Sequence, residues 1–300
     1  MVDAHRMALR VAGLTIQVES PDVSFRLDPA AAPFQVAPSA APDIALRARL
    51  GDPTAVPAAE RRAFDSGGVW TLDEAAGTRI FRFRSSRLGE RPYKVAVVSA
   101  DGGQGDVILE PSCFPADRPA PVLEYPLDEV LFVNRIWRAG GVEVHGCGLR
   151  LPDGRGVLFV GHSGAGKSTM ARLWASAVPQ ASILSDDRIV LRADPVGTRM
   201  FGTPWHGDAC FARAESSAVS AIFVIRHGAQ NCARPLTPAR ASAELFARVF
   251  IPFHDGPAVA ATLGVLEQLA RRVPIFALDV VPTAAVVDYV RGVVREATPS

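Results

Sequence analysis

The stretch VLFVGHSGAGKSTMARLW, residues 157–174, decides the fold of the second half of this 300-residue chain. It begins with four apolar residues that predict a buried strand, and a helical pattern follows from Lys167. Between them lies a loop with three glycines. The pattern G-x-x-x-x-G-K-[S/T] in this setting is typical of a phosphate-binding loop, or P-loop. The flanking strand and helix make the match more specific than the eight residues alone.

The residue types of this loop suit a triphosphate with its metal ion. Gly164 and Gly166 let backbone N–H groups turn inward, and the helix N-terminus adds a partial positive charge. We expect Lys167 to reach the β- and γ-phosphates and the Ser168 hydroxyl to bind Mg²⁺. A glycine-rich turn that merely caps a helix is the alternative, but it leaves the lysine unexplained. The predicted cofactors are ATP and Mg²⁺, and the predicted nucleotide-binding residues are Gly161, Ser163, Gly164, Ala165, Gly166, Lys167, Ser168 and Thr169.

An acidic pair, Asp186 and Asp187, follows within the strand-like stretch SILSDDRIVLRA at 182–193. Adjacent residues of a strand point to opposite faces, so two such carboxylates share one site only where the chain bends. In that arrangement one is placed to serve the metal ion and the other to accept the proton of an attacking hydroxyl. A solvated acidic turn at a strand end is the alternative.

Two further segments carry residues of catalytic type. His145 and Gly146 lie in the strand before the loop, where a lone histidine is more often a packed core residue. Residues 201–208, FGTPWHGD, combine aromatic rings, an imidazole and glycine, which fits equally a loop near a ligand and a packed turn.

The two halves of the chain differ in pattern. Strand-like pieces recur through the first 115 residues, and an Ala/Pro-rich connector interrupts them at 28–43. We therefore predict a small antiparallel β-rich N-terminal module at 1–115, followed by a proline-rich linker at 111–121. From 122 to 300 helices and strands alternate, which predicts an α/β domain with a central buried sheet.

Composition excludes several classes of protein. The formal net charge is +1 and charged residues make up 21%, so we expect no nucleic-acid partner held by bulk electrostatics. No apolar run is long enough to span a membrane and no secretory signal begins the chain, so we expect no membrane partner. The cysteines are widely spaced and form no CxxC pair, which favours reduced thiols in a cytoplasmic protein; they are Cys113, Cys147, Cys210 and Cys232.

Taken together, these residues resemble the HPr kinase/phosphorylase family, and more closely its shorter HPr kinase-related members. The resemblance covers about residues 140–250. It rests on His145-Gly146, on GHSGAGKST at 161–169 and on SDDRIV at 185–190, in that order. It implies a P-loop HPr kinase C-terminal-like domain, akin to ATP-using phosphoenolpyruvate carboxykinases, that transfers phosphate from ATP to a protein seryl hydroxyl.

The resemblance also implies roles for single residues. Ser168 and Asp186 correspond to the metal-binding side of the site. Asp187 corresponds to the base that orients the substrate serine, and His145 to a partner of the acidic pair. The related kinases place an arginine beyond the sheet to meet the transferring phosphoryl group. Arg240 is our candidate for it, with Arg226 as a second.

The chain departs from the full-length HPr kinases in two places. Its first 115 residues do not resemble their recognition domain, and FGTPWHGD stands where they carry a glycine-rich signature. Both departures disfavour HPr itself as acceptor and the reverse phosphorolysis activity. Shorter relatives include kinases of precursor peptides, so the predicted function is Mg²⁺- and ATP-dependent transfer to a serine of a small protein or peptide. The alternatives are a nucleotide-gated binding or scaffold protein with weak ATPase activity and a small-molecule kinase, and homo-oligomerisation stays open.

Overall fold

The fold is mixed α/β and divides into two compact units, Met1–Arg135 and Ile136–Ser300. The computed structural model describes residues 5–194 and 197–297. In these residues it contains two nine-stranded sheets and five α-helices. No helix in the described part of the chain combines the length and the apolar composition that crossing a bilayer requires.

The first unit is built on one sheet. Its strands are β1 His5–Val11, β2 Leu14–Ser20, β3 Gln35–Val36, β4 Ile44–Leu50, β5 Arg61–Asp65, β6 Trp70–Ala75, β7 Thr78–Ser85, β8 Gly89–Ser99 and β9 Gln104–Leu109. They lie side by side in the order β3-β1-β2-β4-β9-β8-β7-β6-β5. Ile44, Leu46 and Ala48 of β4 are buried and alternate with exposed residues, which is the period of two that a half-buried strand requires.

This sheet corrects one expectation. The sequence predicted an antiparallel module, and the strands from β5 to β9 confirm it, but β4 pairs in parallel with both β2 and β9. Parallel neighbours in one sheet need a long crossover connection. The Ala/Pro-rich connector at 28–43 is part of that crossover, because it carries the chain from the end of β2 towards the start of β4.

The helical segment that begins with helix α1, Leu127–Ile136, stops at Gly140, whose φ of +67° is the left-handed conformation typical of a helix end. A short 3-10 turn, Trp137–Ala139, lies between them. Arg135 donates to the carbonyl oxygen of Asp101 at 3.0 Å, which ties α1 to the first unit. The two units divide between Arg135 and Ile136, in the last turn of α1, whereas the sequence placed the division at the linker at 111–121.

The ends of the predicted domains, residues 1–4 and 298–300, lie outside the described residues, and so do residues 195–196.

The second unit carries the predicted P-loop. Its strands are β10 Gly141–Arg150, β11 Gly156–Val160, β12 Ser182–Ser185, β13 Arg188–Asp194, β14 Gly197–Gly202, β15 Ser216–His227, β16 Cys232–Pro235, β17 Val249–Phe250 and β18 Ile275–Val280. Its helices are α2 Lys167–Ala177, α3 Pro238–Phe246, α4 Gly256–Arg272 and α5 Ala285–Ala297. Strand β11 is parallel to β15, and β15 is parallel to β18. Strand β10 is antiparallel to β11, β12, β13 and β17.

Successive residues of β11 pack into two different layers. Val157 and Phe159 belong to the core cluster that contains residues of α2 and α5, and the ring of Phe159 lies 6.2 Å from that of Trp174. Leu158 and Val160 belong to the cluster that contains residues of α3 and α4. Each fully buried side chain of this kind contributes about 1.5–3 kcal/mol. The strand that leads into the loop is thus held on both faces.

Candidate functional site

The P-loop is the turn at 161–166 between β11 and α2, and the structure confirms the predicted strand–loop–helix order. Gly164 and Gly166 have φ values of +78° and +99°, which L side chains rarely adopt, so both positions require glycine. Gly166 is also the residue that caps α2. The first amides of α2 follow directly, and a helix N-terminus favours an anion.

Lys167 is the first residue of α2, and its side chain turns back onto this loop. Its side-chain amine donates to the carbonyl oxygens of Gly161 at 3.1 Å and His162 at 3.0 Å, and the residue is only 5% exposed. Burial lowers the pKa of Lys167 below its ordinary value, and the charge of Asp187 opposes that shift only in part. The amine is placed where it would meet an oxyanion bound by the loop.

The remaining predicted nucleotide-binding residues occupy different surroundings. Gly161 is buried at the end of β11, whereas Thr169 is exposed in the first turn of α2. Ser163, Gly164 and Ala165 line a cavity of about 330 Å³ together with Arg226, His227 and Arg248. The loop therefore presents one side to this cavity.

Asp186 is fully buried beside the start of α2. Its Oδ2 atom accepts hydrogen bonds from the Ser168 hydroxyl at 3.0 Å and from the backbone N–H of Ala209 at 2.9 Å. Its Oδ1 atom accepts from the N–H groups of Gly207 at 3.1 Å and Phe211 at 3.2 Å. The carboxylate is thus fixed by donors and joined to the P-loop through a hydroxyl.

The acidic pair lies in a break between two strands, whereas the sequence predicted one strand across it. Strand β12 ends at Ser185 and β13 begins at Arg188, and both strands pair with β10. The bend frees Asp186 and Asp187 from the alternation of a regular strand. The bend that the sequence required is therefore present, and the sharing of one site by both carboxylates stays a prediction.

Asp187 is held by two basic side chains. Its Oδ1 atom lies 2.8 Å from His145 Nε2, and its Oδ2 atom accepts a hydrogen bond from Arg188. Burial raises the pKa of Asp187, but the hydrogen bond from His145 and the charges of Arg188, His145 and Lys167 together lower it below its ordinary value. The carboxylate therefore stays ionised at neutral pH.

The main chain at His145 and Gly146 joins the P-loop to the acidic bend. The carbonyl oxygen of His145 accepts a hydrogen bond from the N–H of Gly161 at 3.4 Å, and the N–H of Gly146 donates to the carbonyl oxygen of Asp187 at 2.9 Å. The N–H of His145 donates to the carbonyl oxygen of Arg248 at 2.7 Å. Strand β10 thus gathers three segments that are far apart in sequence.

Arg188 is a site residue that the sequence reasoning missed. Its guanidinium group contacts Asp187, lies 3.5 Å from the carboxylate of the buried Glu143 and stacks on the ring of Phe250 at 4.2 Å. Planar guanidinium groups suit such simultaneous pairing and stacking. Its place directly after the acidic pair was the available signal.

The two candidate arginines beyond the sheet, Arg240 and Arg226, lie in different surroundings. Arg240 is 66% exposed, lies 3.4 Å from Glu244 and does not line the cavity beside the P-loop. Arg226 lines that cavity, and so does Arg248, whose side chain is only 7% exposed. Arg248 donates to Glu244 at 2.8 Å, while its Nε atom has no hydrogen-bond partner among the described residues. Arg248 was also missed, and no local pattern marks it.

The segment at 201–208, left open by the sequence, is packed and also belongs to the site. Thr203 donates to the carbonyl oxygen of Arg188 at 2.8 Å, and Trp205 is buried. Gly207 then contacts Asp186. The packed turn is therefore confirmed, and the segment also contacts the acidic pair through Gly207; that it lies near a ligand stays a prediction.

No protein-family model matches this chain, and no curated protein matches it. The resemblance to HPr kinases thus rests on the three sequence features alone and stays a prediction.

The oxygen atoms of Ser168 and Asp186 suit a Mg²⁺ ion that also binds water and phosphate, and they are too few to hold a metal ion by themselves. Among residues 5–194 and 197–297, no three His, Cys, Asp or Glu side chains form a group that could hold a metal ion. Mg²⁺ keeps several waters and takes phosphate oxygens with only one or two protein ligands. Ser168 with Asp186 behind it supplies such a sparse oxygen set.

Proposed function

We propose that this chain is a Mg²⁺- and ATP-dependent kinase that phosphorylates a serine hydroxyl of a small protein or peptide, with an HPr kinase-like fold in the second unit. One observation carries the proposal: β10 joins the P-loop to an ionised carboxylate. The N–H of Gly161 bonds to His145, whose side chain contacts Asp187. A P-loop alone explains nucleotide binding, whereas a carboxylate beside it also provides for an acceptor hydroxyl.

The loop and α2 provide the nucleotide side of the reaction. Backbone amides of the loop and the N-terminus of α2 would bind the phosphates, and Lys167 would contact the β- and γ-phosphates. Ser168, oriented by Asp186, would hold the metal side of the nucleotide. A bound magnesium ion supplies charge neutralisation across the phosphates.

Asp187 is the acceptor of the hydroxyl proton in this proposal. The serine Oγ atom bonds to the γ-phosphorus, the bond from that phosphorus to the β–γ bridging oxygen breaks, and ADP leaves. The proton passes from the serine hydroxyl to Asp187. A lowered pKa makes Asp187 a weak base, but a loose transition state needs mainly positioning and charge stabilisation. His145 and Arg188 supply that positioning by holding the carboxylate.

Arg248 and Arg226 are better placed than Arg240 to meet the transferring phosphoryl group. Both line the cavity beside the P-loop, whereas Arg240 does not. The Nε atom of Arg248 is a donor with no partner in the described part of the chain. An arginine in such a cavity would stabilise charge that develops on the phosphoryl oxygens.

The acceptor and its recognition are further parts of the proposal. A net charge of +1 favours a small protein or peptide over nucleic acid. The free thiols of the chain are compatible with a reducing cytoplasm, which we propose as its location. We assign acceptor recognition or assembly to the first unit because its architecture is separate from that of the P-loop unit.

The test is incubation of the chain with labelled ATP, Mg²⁺ and lysate of its own source cell, followed by mass spectrometry. We expect a phosphoserine-containing small protein or peptide with the wild type and none with Lys167→Met. A labelled small molecule instead would favour a small-molecule kinase, and the absence of any labelled product would contradict the proposal.

A second candidate is a nucleotide-gated binding protein with weak ATPase activity. The lowered pKa of Asp187 favours it, because a carboxylate already held by His145 and Arg188 is a poor base. This candidate predicts that ATP changes the affinity for a partner while no phosphoprotein forms. A pull-down from the same lysate with and without ATP separates the two.

A further inference from the structure

The loop at 206–211 surrounds the carboxylate of Asp186 with backbone amides. Every second residue, Gly207, Ala209 and Phe211, directs its N–H group to that carboxylate at 2.9–3.2 Å. The residues that alternate with them, His206, Asp208 and Cys210, are exposed. The loop thus turns main-chain N–H groups towards Asp186 and leaves these three side chains exposed to solvent.

The hydrogen bonds occupy the lone pairs of Asp186. An ionised carboxylate has about four acceptor positions. Three amides and the Ser168 hydroxyl supply four donors, two to each oxygen. Asp186 can therefore bind a cation directly only by giving up one of them. Any effect of Asp186 on a nucleotide-bound metal ion would then run through the hydroxyl of Ser168, which donates its proton to the carboxylate and keeps its oxygen lone pairs free of it.

Gly207 is the point of closest approach between this loop and the site. A Cβ atom at position 207 would lie 2.9 Å from Asp186 Oδ2, 3.2 Å from Asp187 Cβ and 3.4 Å from Ser168 Oγ. The first of these is shorter than real Cβ contacts, and its partner is a fully buried carboxylate that three amides hold in place. Glycine is therefore required here by space rather than by φ.

We propose that the 206–211 loop positions the metal side of the nucleotide site: its amides fix Asp186, and Asp186 aims the Ser168 hydroxyl at the metal ion that accompanies the nucleotide. Gly207 is a positioning residue in this arrangement. The inference rests on the proposed function in one respect, that the chain binds ATP with Mg²⁺. It goes beyond it by assigning Asp186 an indirect role and by making a loop with no metal ligand decide metal affinity.

The experiment is titration of the full chain with ATP in Mg²⁺ and, separately, in EDTA. Loss of a group that orients a metal ligand typically weakens metal affinity by about 10–100-fold. We expect Gly207→Ala to weaken binding in Mg²⁺ by about tenfold on that scale, with the dissociation constant in EDTA unchanged. Cys210→Ala is the matched control, because it changes an exposed side chain of the same loop. It should leave the dissociation constant for ATP unchanged in Mg²⁺ and in EDTA. The proposal would be overturned if Gly207→Ala lost ATP affinity equally in Mg²⁺ and in EDTA, or lost none in Mg²⁺.

A double variant separates positioning from damage to packing. Ser168→Ala removes the hydroxyl through which the loop acts. If Gly207 acts through that hydroxyl, adding Gly207→Ala to Ser168→Ala costs no further Mg²⁺-dependent affinity. Additive losses of the two changes would contradict the proposed connection.

Hydrogen exchange of the backbone amides tests the same connection without the Gly207→Ala variant, which matters if that variant does not fold. In the wild type we expect the amides of 207, 209 and 211 to be protected. Asp186→Ala should release them and Asp187→Ala should not. Free exchange at these amides in the wild type would overturn the proposal. A wild type that binds no ATP in either condition would instead contradict the proposed function, and the exchange result would still decide whether the loop holds Asp186.

Discussion

His145 Nε2 and Asp187 Oδ1 lie 2.8 Å apart, although 42 positions separate the two residues in the chain. The contact follows from the register of β10 and β13, in which His145 is paired with Arg188, the residue after Asp187. The N–H of Gly146 also bonds to the carbonyl oxygen of Asp187. Main chain and side chain together therefore fix the position of this carboxylate.

Replacing His145 with alanine is expected to move the acid limb of the pH–rate profile to higher pH. Burial raises the pKa of Asp187 and stays in the variant, whereas the hydrogen bond and charge of His145, which lower the pKa, are removed. The pKa of Asp187 therefore rises. The measurement is kcat/KM for phosphoryl transfer against pH. His145→Gln keeps an N–H donor, so its acid limb should move less than that of His145→Ala. An acid limb that does not move in His145→Ala would contradict the role of His145 in lowering the pKa of Asp187.

Replacing Arg188 with alanine is expected to destabilise the second unit. The side chain lies between Asp187 and the fully buried Glu143, and removal of one partner from a buried ion pair costs about 3 kcal/mol. Urea unfolding checks this. Arg271→Ala is the matched control, because Arg271 pairs with Glu267 on the exposed side of α4 and such surface pairs are worth about 0.5 kcal/mol. Equal small losses in both variants would speak against a structural role for Arg188.

Replacing Arg248 with alanine is expected to lower kcat for transfer by roughly a thousandfold, the scale on which arginines stabilise phosphoryl transfer. Arg240→Ala should leave kcat within about twofold, because surface substitutions away from the site have small effects. Arg240 and Arg248 both pair with Glu244, so comparing the two variants tests the position of Arg248 in the cavity and not the loss of an ion pair with Glu244. Arg248→Lys should recover little, since lysine lacks the planar donor fork. A larger loss of kcat in Arg240→Ala than in Arg248→Ala would instead support Arg240, the arginine that the sequence analysis favoured.

Nucleotide affinity is expected to fall in alkaline solution at a pH below the ordinary lysine value of 10.5. Burial lowers the pKa of Lys167, so the amine loses its charge earlier than an exposed lysine as the pH rises. Titration with a fluorescent ATP analogue from neutral to alkaline pH checks this. Lys167→Arg keeps its charge throughout and should show no such decline. Parallel declines in both proteins would assign the effect to another group.

The sequence predicted those parts of the site that local spacing determines. The order of strand, loop and helix at 157–174 follows from residue type and period, and it needs no knowledge of distant contacts. The need for a bend at Asp186 and Asp187 followed from the alternation of a strand, although the break between β12 and β13 was not located. The β content of the first unit followed from the same alternation.

Long-range pairing explains what the sequence did not provide. Arg248 reaches the site because its carbonyl oxygen bonds to His145 and because β17 pairs with β10, contacts that no local pattern records. The parallel pairing of β4 likewise depends on where a long connector returns to the sheet. The amides of the 206–211 loop are main-chain groups, so residue types alone could not reveal that they hold Asp186.

The most direct test of the central claim is single-turnover transfer from labelled ATP to the phosphorylated species found in lysate, with Asp187→Asn compared with wild type. Asparagine keeps the size of the side chain and removes its ability to accept a proton. We expect ATP binding in Mg²⁺ to persist and transfer to be lost in the variant. Substantial transfer by a variant that binds ATP normally would contradict the assignment of Asp187 as the proton acceptor.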